Sequence, residues 1–255
     1  MKILIANDDG VDSPGIRALY EAVKGMGDVF VVAPHRERST AGHSLTLHKP
    51  LRIHSVAPSI FATTGTPADC IYLGIREILK SPPDLILSGI NAGANLGTDV
   101  HYSGTVAAAR EGALMNIPSY AFSLVTFPAT GNQAQEPLRF DVAATFARKV
   151  IEATRSVPFP KHTLLNVNIP NLEAKAIRGI QVTRQGFRYY ANEVTRRTDP
   201  RGKDYYWLGG PYIGFEKSEA SDCHAVEANC VAVTPLTIDC THNEFYATLL
   251  SGLDL

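Results

Sequence analysis

Asp8 and Asp9 are adjacent carboxylates, preceded by Asn7 and followed by Gly10, at the end of the apolar run "KILIA" (2–6). Two like charges held close together raise a pKa unless a cation lies between them. A hard divalent ion such as Mg²⁺ or Mn²⁺, which prefers oxygen ligands, removes that conflict. Asn, Asp and Gly also favour turns and helix caps, so "NDDG" alone fits either a cation site or a tight turn. In an extended strand the two carboxylates would point to opposite faces, whereas a turn aided by Gly10 lets both face one point.

Two later segments carry complementary chemistry. "SGINAGANLG" (88–97) has three glycines and two asparagines after another apolar run, and it matches neither the G-x-G-x-x-G nor the P-loop pattern. Asn91 there can offer an amide oxygen to a cation or an N–H to a phosphate. In "YSGTVAAAREG" (102–112), Ser103 and Thr105 bracket Gly104 at the start of an Ala-rich helical stretch. Free N–H groups, the helix dipole and two hydroxyls could address an anion, and a plain Ser or Thr cap explains the segment equally well. The eight histidines show no zinc spacing, and His101, beside this turn, is the one candidate for a leaving-group acid. Two carboxylates and two neutral oxygens around a divalent ion leave a nearly neutral site that does not repel a phosphate dianion.

The elements that must position these residues alternate strand and helix. "KILIA" and "DVFVVAP" (28–34) read as buried parallel strands around a helix at 13–27, with Ser13 placed to cap and Pro14 at its first position. "LTLHKPLRIHSV" and "IFATT" alternate like antiparallel additions, and a helix is expected over 66–80. Further strands fall at 84–90, 118–124 and 162–170, with helices at 104–115 and 138–154 between them. The order gives a mostly parallel sheet with right-handed crossovers, and ligands bind beyond the carboxyl ends of such strands. Residues 178–235 change to alternating, Tyr- and Gly-rich β-structure, partly as hairpins outside the main sheet, and 242–253 closes the chain as a helix. Tyr102, Tyr189 and Tyr190 could stack on a base, though aromatic residues in β segments more often pack.

Composition sets the outer limits. The 255 residues are 45% apolar and 19% charged with a net charge of −1, which fits a globular chain and disfavours a nucleic-acid polymer or an anionic membrane as partner. The basic stretch "TRRTDPRGK" (195–203) reads as a solvated loop. Cys70, Cys223, Cys230 and Cys240 form no C-x-x-C pair. With no signal-peptide pattern and no membrane-spanning run, the expectation is a cytoplasmic protein with reduced thiols.

"NDDG", "APHRERSTAGHS" (33–44), "GTPADC" (65–70) and above all "SGINAGANLGTDVHYSGTVAAAREG" (88–112) resemble the survival protein SurE family. "LNVNIP", "VTRQG" and "VTPL" extend the resemblance over nearly the whole chain. The resemblance implies a metal-dependent phosphatase acting on nucleoside monophosphates, chiefly a 5'-nucleotidase, some members accepting 3'-nucleotides or short polyphosphate. It implies an α/β fold with a Rossmann-like three-layer core over 1–177. A C-terminal β-hairpin extension and closing helix over 178–255, used in homodimers or homotetramers, would pack on that core as one structural domain. One divalent cation per subunit, Mg²⁺ or Mn²⁺, would be held by Asp8, Asp9, Ser39 and Asn91. Ser39 enters by the resemblance alone. Asn95, Ser103, Gly104 and Thr105 match the remaining active-site segment, as phosphate-binding residues, with Asp8, Asp9 and Asn95 catalytic.

The expected reaction is in-line attack of an activated water on phosphorus. An aspartyl-phosphate route would use Asp-x-Asp followed by Thr, and the adjacent carboxylates followed by Gly10 and Val11 do not fit that spacing. Two non-enzymatic classes compete. A nucleotide-binding module would bind without releasing phosphate, and an assembly protein would tolerate Asp8→Asn.

Overall fold

A computed structural model describes residues 1–126 and 137–252. Its centre is a nine-stranded sheet built on β1 (Lys2–Ala6), β2 (Asp28–Pro34), β3 (Ile53–Ala57), β4 (Ile60–Thr63), β5 (Leu85–Ala92), β6 (Ser119–Val125), β7 (Thr163–Pro170), β8 (Gly179–Val182) and β13 (Cys230–Thr237), in the order β3-β4-β2-β1-β5-β6-β7-β13-β8. The run β4-β2-β1-β5-β6-β7 is parallel throughout. Read in chain order it is the doubly wound 3-2-1-4-5-6 arrangement, whose switch point lies between β1 and β5.

The continuous apolar runs are what a doubly covered sheet requires. Along β1, Ile3 and Ile5 pack with Ile16, Leu19 and Val23 of α1 (Pro14–Val23) and Ala143, Ala147 and Val150 of α4 (Phe140–Thr154). The alternate residues Leu4 and Ala6 pack with Cys70 and Ile71 of α2 (Pro67–Leu73) and Ala108 of α3 (Gly104–Leu114). The three layers follow from this period of two. Local signals start α1 and α2: Ser13 caps α1, and Thr66 and Asp69 form a reciprocal capping box at α2.

Several expectations change. The helix expected over 66–80 is α-helical only to Leu73 and continues as a π-helical stretch, Gly74–Leu79. β3 is an antiparallel addition, but β4 joins β2 in parallel and 45–48 forms no strand. β13 inserts antiparallel beside β7 and carries β8 on its far side, so the sheet runs across position 177. A short helix, α5 (Asp222–Glu227), capped by Ser221, interrupts the segment read as β-structure. Outside the sheet, β9 (Arg188–Tyr190) pairs with β12 (Tyr212–Phe215), and beyond them β10 (Glu193–Thr198) pairs with β11 (Asp204–Gly209). The basic stretch at 195–203 thus divides: 195–198 end β10, and 199–203 are the loop that joins it to β11. α6 (Asn243–Gly252) closes the described chain, and the last residue of the expected helix, 253, lies outside the described residues.

Candidate active site

The alternation of β1 continues into the residues that follow it. Asn7, fully buried, sits on the α1 side: its Nδ2 donates to the Gly10 carbonyl (2.9 Å) and Ser13 Oγ (2.8 Å), and its Oδ1 accepts from Gly10 N (3.2 Å). Gly10, at φ +103°, makes the turn that this clamp closes. Asp8 points the other way, to the N-terminus of α3. One carboxylate oxygen accepts the Thr105 N–H (3.0 Å) and the other the Thr105 hydroxyl. A Cβ on Gly104 would lie 2.8 Å from Asp8 Cβ and 2.9 Å from Asp8 Oδ2, so only glycine lets the helix approach this closely. Burial pushes the Asp8 carboxyl above the usual carboxylate range, opposed by the Thr105 hydroxyl and by the Thr105 and Gly104 backbone N–H groups.

Asp9 is half-buried and faces the end of β5, where the Ala92 N–H reaches its Oδ2 (3.3 Å). Burial, and then the Asp8 charge, push its carboxyl up to about 6. β5 delivers Asn91 here through a bulge: Ser88 pairs with Ala121 and Asn91 with Ser123, leaving Gly89 and Ile90 opposite one residue. The Asn91 Nδ2 donates to the Gly93 carbonyl (2.9 Å), which leaves Oδ1 without a partner among the described residues. The structure therefore gathers Asp8, Asp9 and Asn91 at the switch point.

Ser39 is held less directly. The preceding Arg38 N–H donates to the Asp8 carbonyl (2.7 Å), and Glu37 adds to the negative field at Asp9, but the Ser39 hydroxyl itself donates to Glu37 Oε1 (2.6 Å). Among the described residues no three His, Cys, Asp or Glu side chains gather as a metal-ligand group, so a cation here would depend on two carboxylates and neutral oxygens. That donor set fits a hard divalent ion: burial raises both carboxyls, the Asp8 charge adds to the rise at Asp9, and the Asn91 amide oxygen, one residue before the Ala92 N–H that reaches Asp9, is uncommitted among the described residues.

Asn95 is fixed by four hydrogen bonds from the neighbouring strands. Its N–H donates to Asn168 Oδ1 (3.0 Å), its carbonyl accepts from Asn166 and Asn168 Nδ2 (2.8 and 3.0 Å), and its own Nδ2 donates to Ser123 Oγ (2.7 Å). Sequence reasoning did not single out Asn7, Ser123, Asn166 or Asn168. The signal for the last two was present: asparagines two apart in an apolar strand share one face. Ser103 caps α3, its Oγ accepting the Val106 N–H (3.0 Å), which leaves its own proton to donate. Both donors of Thr105 are committed to Asp8, so Thr105 and Gly104 serve that carboxylate directly. His101 and Tyr102 are exposed, while the Tyr190 hydroxyl donates to Asp99 (2.8 Å) at the root of the hairpin.

The family model described as Survival protein SurE matches residues 3–192 of this chain. A protein named 5'-nucleotidase SurE from Geobacter metallireducens is 47% identical over 249 residues, covering 98% of this chain and 96% of that relative. Another of the same name, from Geotalea daltonii, is 49% identical over 249 residues and 98% of both chains. The crystal structure of Sure protein from Aquifex aeolicus superposes with a TM-score of 0.85 at 43% identity, covering 98% of this chain and 99% of that one. Similarity of this extent, over a site of this geometry, means that the chain belongs to the survival protein SurE family.

Proposed function

We propose that this chain is a divalent-metal-dependent 5'-nucleotidase, which hydrolyses nucleoside 5'-monophosphates to nucleoside and phosphate. The observation that carries this reading is the meeting, at the sheet's switch point, of Asp8 with the N-terminus of α3 and of Asp9 with the end of β5 that carries Asn91. The names of the relatives point the same way. Asp8, Asp9, Ser39 and Asn91 would hold one Mg²⁺ or Mn²⁺, which supplies positive charge against the phosphoryl oxygens and acidity to an attacking water. Holding it requires the Ser39 hydroxyl to leave Glu37.

The chain's own groups do the positioning. Ser103 offers its hydroxyl proton and Asn95 its second amide proton to phosphoryl oxygens, both from rigid mounts. Thr105 and Gly104 contribute through Asp8, whose charged form they favour. Asp9, the less buried carboxylate, is placed to orient the water and take its proton. Asp8 has both oxygens committed to Thr105, which makes it a poor nucleophile and favours direct attack by water over an aspartyl-phosphate.

Release from 3'-nucleotides and short polyphosphate belongs to the same proposal. So does assembly as a homodimer or homotetramer through the C-terminal hairpin and α6, which leave Val194, Trp207, Leu208, Phe245 and Leu250 exposed. A cytoplasmic setting is in keeping with the four cysteines, all unpaired, and no helix among the described residues is long and apolar enough to cross a membrane. The test is phosphate release from nucleoside 5'- and 3'-monophosphates with Mn²⁺, Mg²⁺ or EDTA. Wild type should act only with metal, and Asp9→Asn should lose about a hundredfold or more. A folded wild type that releases no phosphate with either metal would sink the reading.

A further inference from the structure

The two faces of the sheet offer different chemistry at the carboxylates. Val167 and Ile169 pack on the α1–α4 side, so Asn166 and Asn168 face α3, and with them come Asn95 and Ser123. Ser103, Gly104 and Asp8 are also on that face. The groups suited to a phosphate therefore lie on the α3 side. On the opposite side, Asp9 forms one wall of a cleft of about 400 Å³ between the β1–α1 turn, the end of β2 and the start of α4. That size lies within the range of small-ligand clefts, roughly 300–1,000 Å³.

The lining of this cleft is mixed: Asp12 and the capped N-terminus of α1, Ser13 and Pro14, form one side of it, and apolar side chains form much of the rest. Val11 and Phe140, each 8% exposed, and Leu138, 44% exposed, give it apolar walls. His35 and Arg36 give it a polar edge. His35 Nδ1 lies 2.9 Å from the Thr63 carbonyl. A carbonyl can only accept, so Nδ1 carries the proton and Nε2 of the neutral ring is left as an acceptor. Arg36 is exposed and pairs with no carboxylate among the described residues.

We propose that this cleft is the nucleoside subsite. The base lies against Leu138 and Phe140, the sugar hydroxyls face His35 and Arg36, and the phosphate reaches past Asp9 to the α3 face. The substrate class rests on the nucleotidase reading above. A substrate's remote part that binds here would raise kcat/KM for nucleotides over phosphate esters that lack a base.

Two measurements decide it. The first compares kcat/KM for 5'-AMP and for ribose 5-phosphate, which has the sugar and no base. Wild type should prefer AMP, and Leu138→Trp, which fills the cleft from an exposed position, should lower kcat/KM for AMP about tenfold or more and for ribose 5-phosphate by less than about threefold. Arg36→Ala should shift the ratio in the same direction. Equal losses on both substrates would place these residues at the phosphate and overturn the assignment. The second is a calorimetric titration with adenosine, which carries no phosphate. Binding to wild type that weakens at least about tenfold in Leu138→Trp supports the subsite. Absence of binding to wild type, or equal binding to the variant, overturns it. If wild type hydrolyses neither ester, the nucleotidase reading falls by itself, and the adenosine titration still decides the cleft.

Discussion

At the carboxyl end of β1 the polar residues are buried and partnered: Asn7 is fully enclosed, Asp8 is 4% exposed, and both are hydrogen-bonded to neighbouring elements. Along β10 and β11 every residue is exposed, and Val194, Trp207 and Leu208 present apolar surface outward. In the first region the sheet, α1 and α3 hold two carboxylates in a place where their charge is costly. In the second, a two-stranded ribbon stands with no core of its own, and such ribbons are marginal in isolation. A small change in packing should therefore be felt strongly at the strand end and weakly in the hairpin.

The sharpest way to break this contrast is Gly104→Ala. Alanine is the better helix former by up to about 1 kcal/mol, so local propensity predicts a gain. The added methyl would lie 2.8 Å from Asp8 Cβ and 3.1 Å from Pro67 Cγ, so Asp8 or the helix must move. Overpacking of this kind costs about 1–3 kcal/mol. Phosphate release should fall about a hundredfold, with a lower Tm. Retained activity would mean that the closeness of α3 to Asp8 does not fix the carboxylate.

Thr105→Val keeps the side-chain volume and the backbone N–H on Asp8 but removes the hydroxyl donor. A hydrogen bond to a charged group contributes about 1.5–3 kcal/mol, so the ionised Asp8 is disfavoured and Mn²⁺ affinity should weaken about tenfold or more. Without the hydroxyl the Asp8 carboxyl moves further up, and the acid limb of the pH–rate profile should shift to higher pH. An unchanged limb and unchanged affinity would assign Thr105 to capping alone.

The difference between the regions also explains what the sequence disclosed. Continuous apolar runs located β1, β2 and β5, the cap at Ser13 located α1, and the Ala-rich stretch after Ser103 located α3, because those signals are local. The side of the sheet on which each carboxylate lies was also legible in principle, since the alternation of Leu4 and Ala6 continues to Asp8. The Asn95 mount was not, because it joins residues more than seventy positions apart. β13 was read as β-structure but not as a member of the main sheet, because its partners β7 and β8 are set by tertiary pairing. α5 escaped because six residues carry too little periodicity. Ser39 had no distinguishing chemistry and entered by family resemblance alone; its hydroxyl bonds Glu37.

A third effect concerns stability and has a definite sign. Both carboxyls are raised in the folded chain, Asp9 from 3.8 to about 6. The folded state then holds more protons than the unfolded state between those values, so stability falls as pH rises from about 4 through about 6. Without a cation, in EDTA, Asp9→Asn should flatten this fall by removing the carboxyl raised to about 6, and Mn²⁺ should raise the wild-type Tm more at pH 7.5 than at pH 5. Thermal melts at the two pH values measure both. A wild type and an Asp9→Asn protein with the same slope would mean that folding does not raise the Asp9 carboxyl.

The smallest effect belongs to the hairpin. Leu208 is 83% exposed, so Leu208→Ser removes little buried surface, and a surface change of this kind shifts unfolding free energy by no more than about 0.5 kcal/mol. If the apolar side of β11 is covered by another copy of the chain, the same substitution should move the sedimentation profile toward smaller species while kcat for AMP stays within about twofold. The site's partners come from β5, β6, β7 and α3 and owe nothing to residues 193–209. A large loss of kcat in a variant that sediments like wild type would show that the hairpin supports the carboxylates within one chain, and the division between the two regions would have to be redrawn.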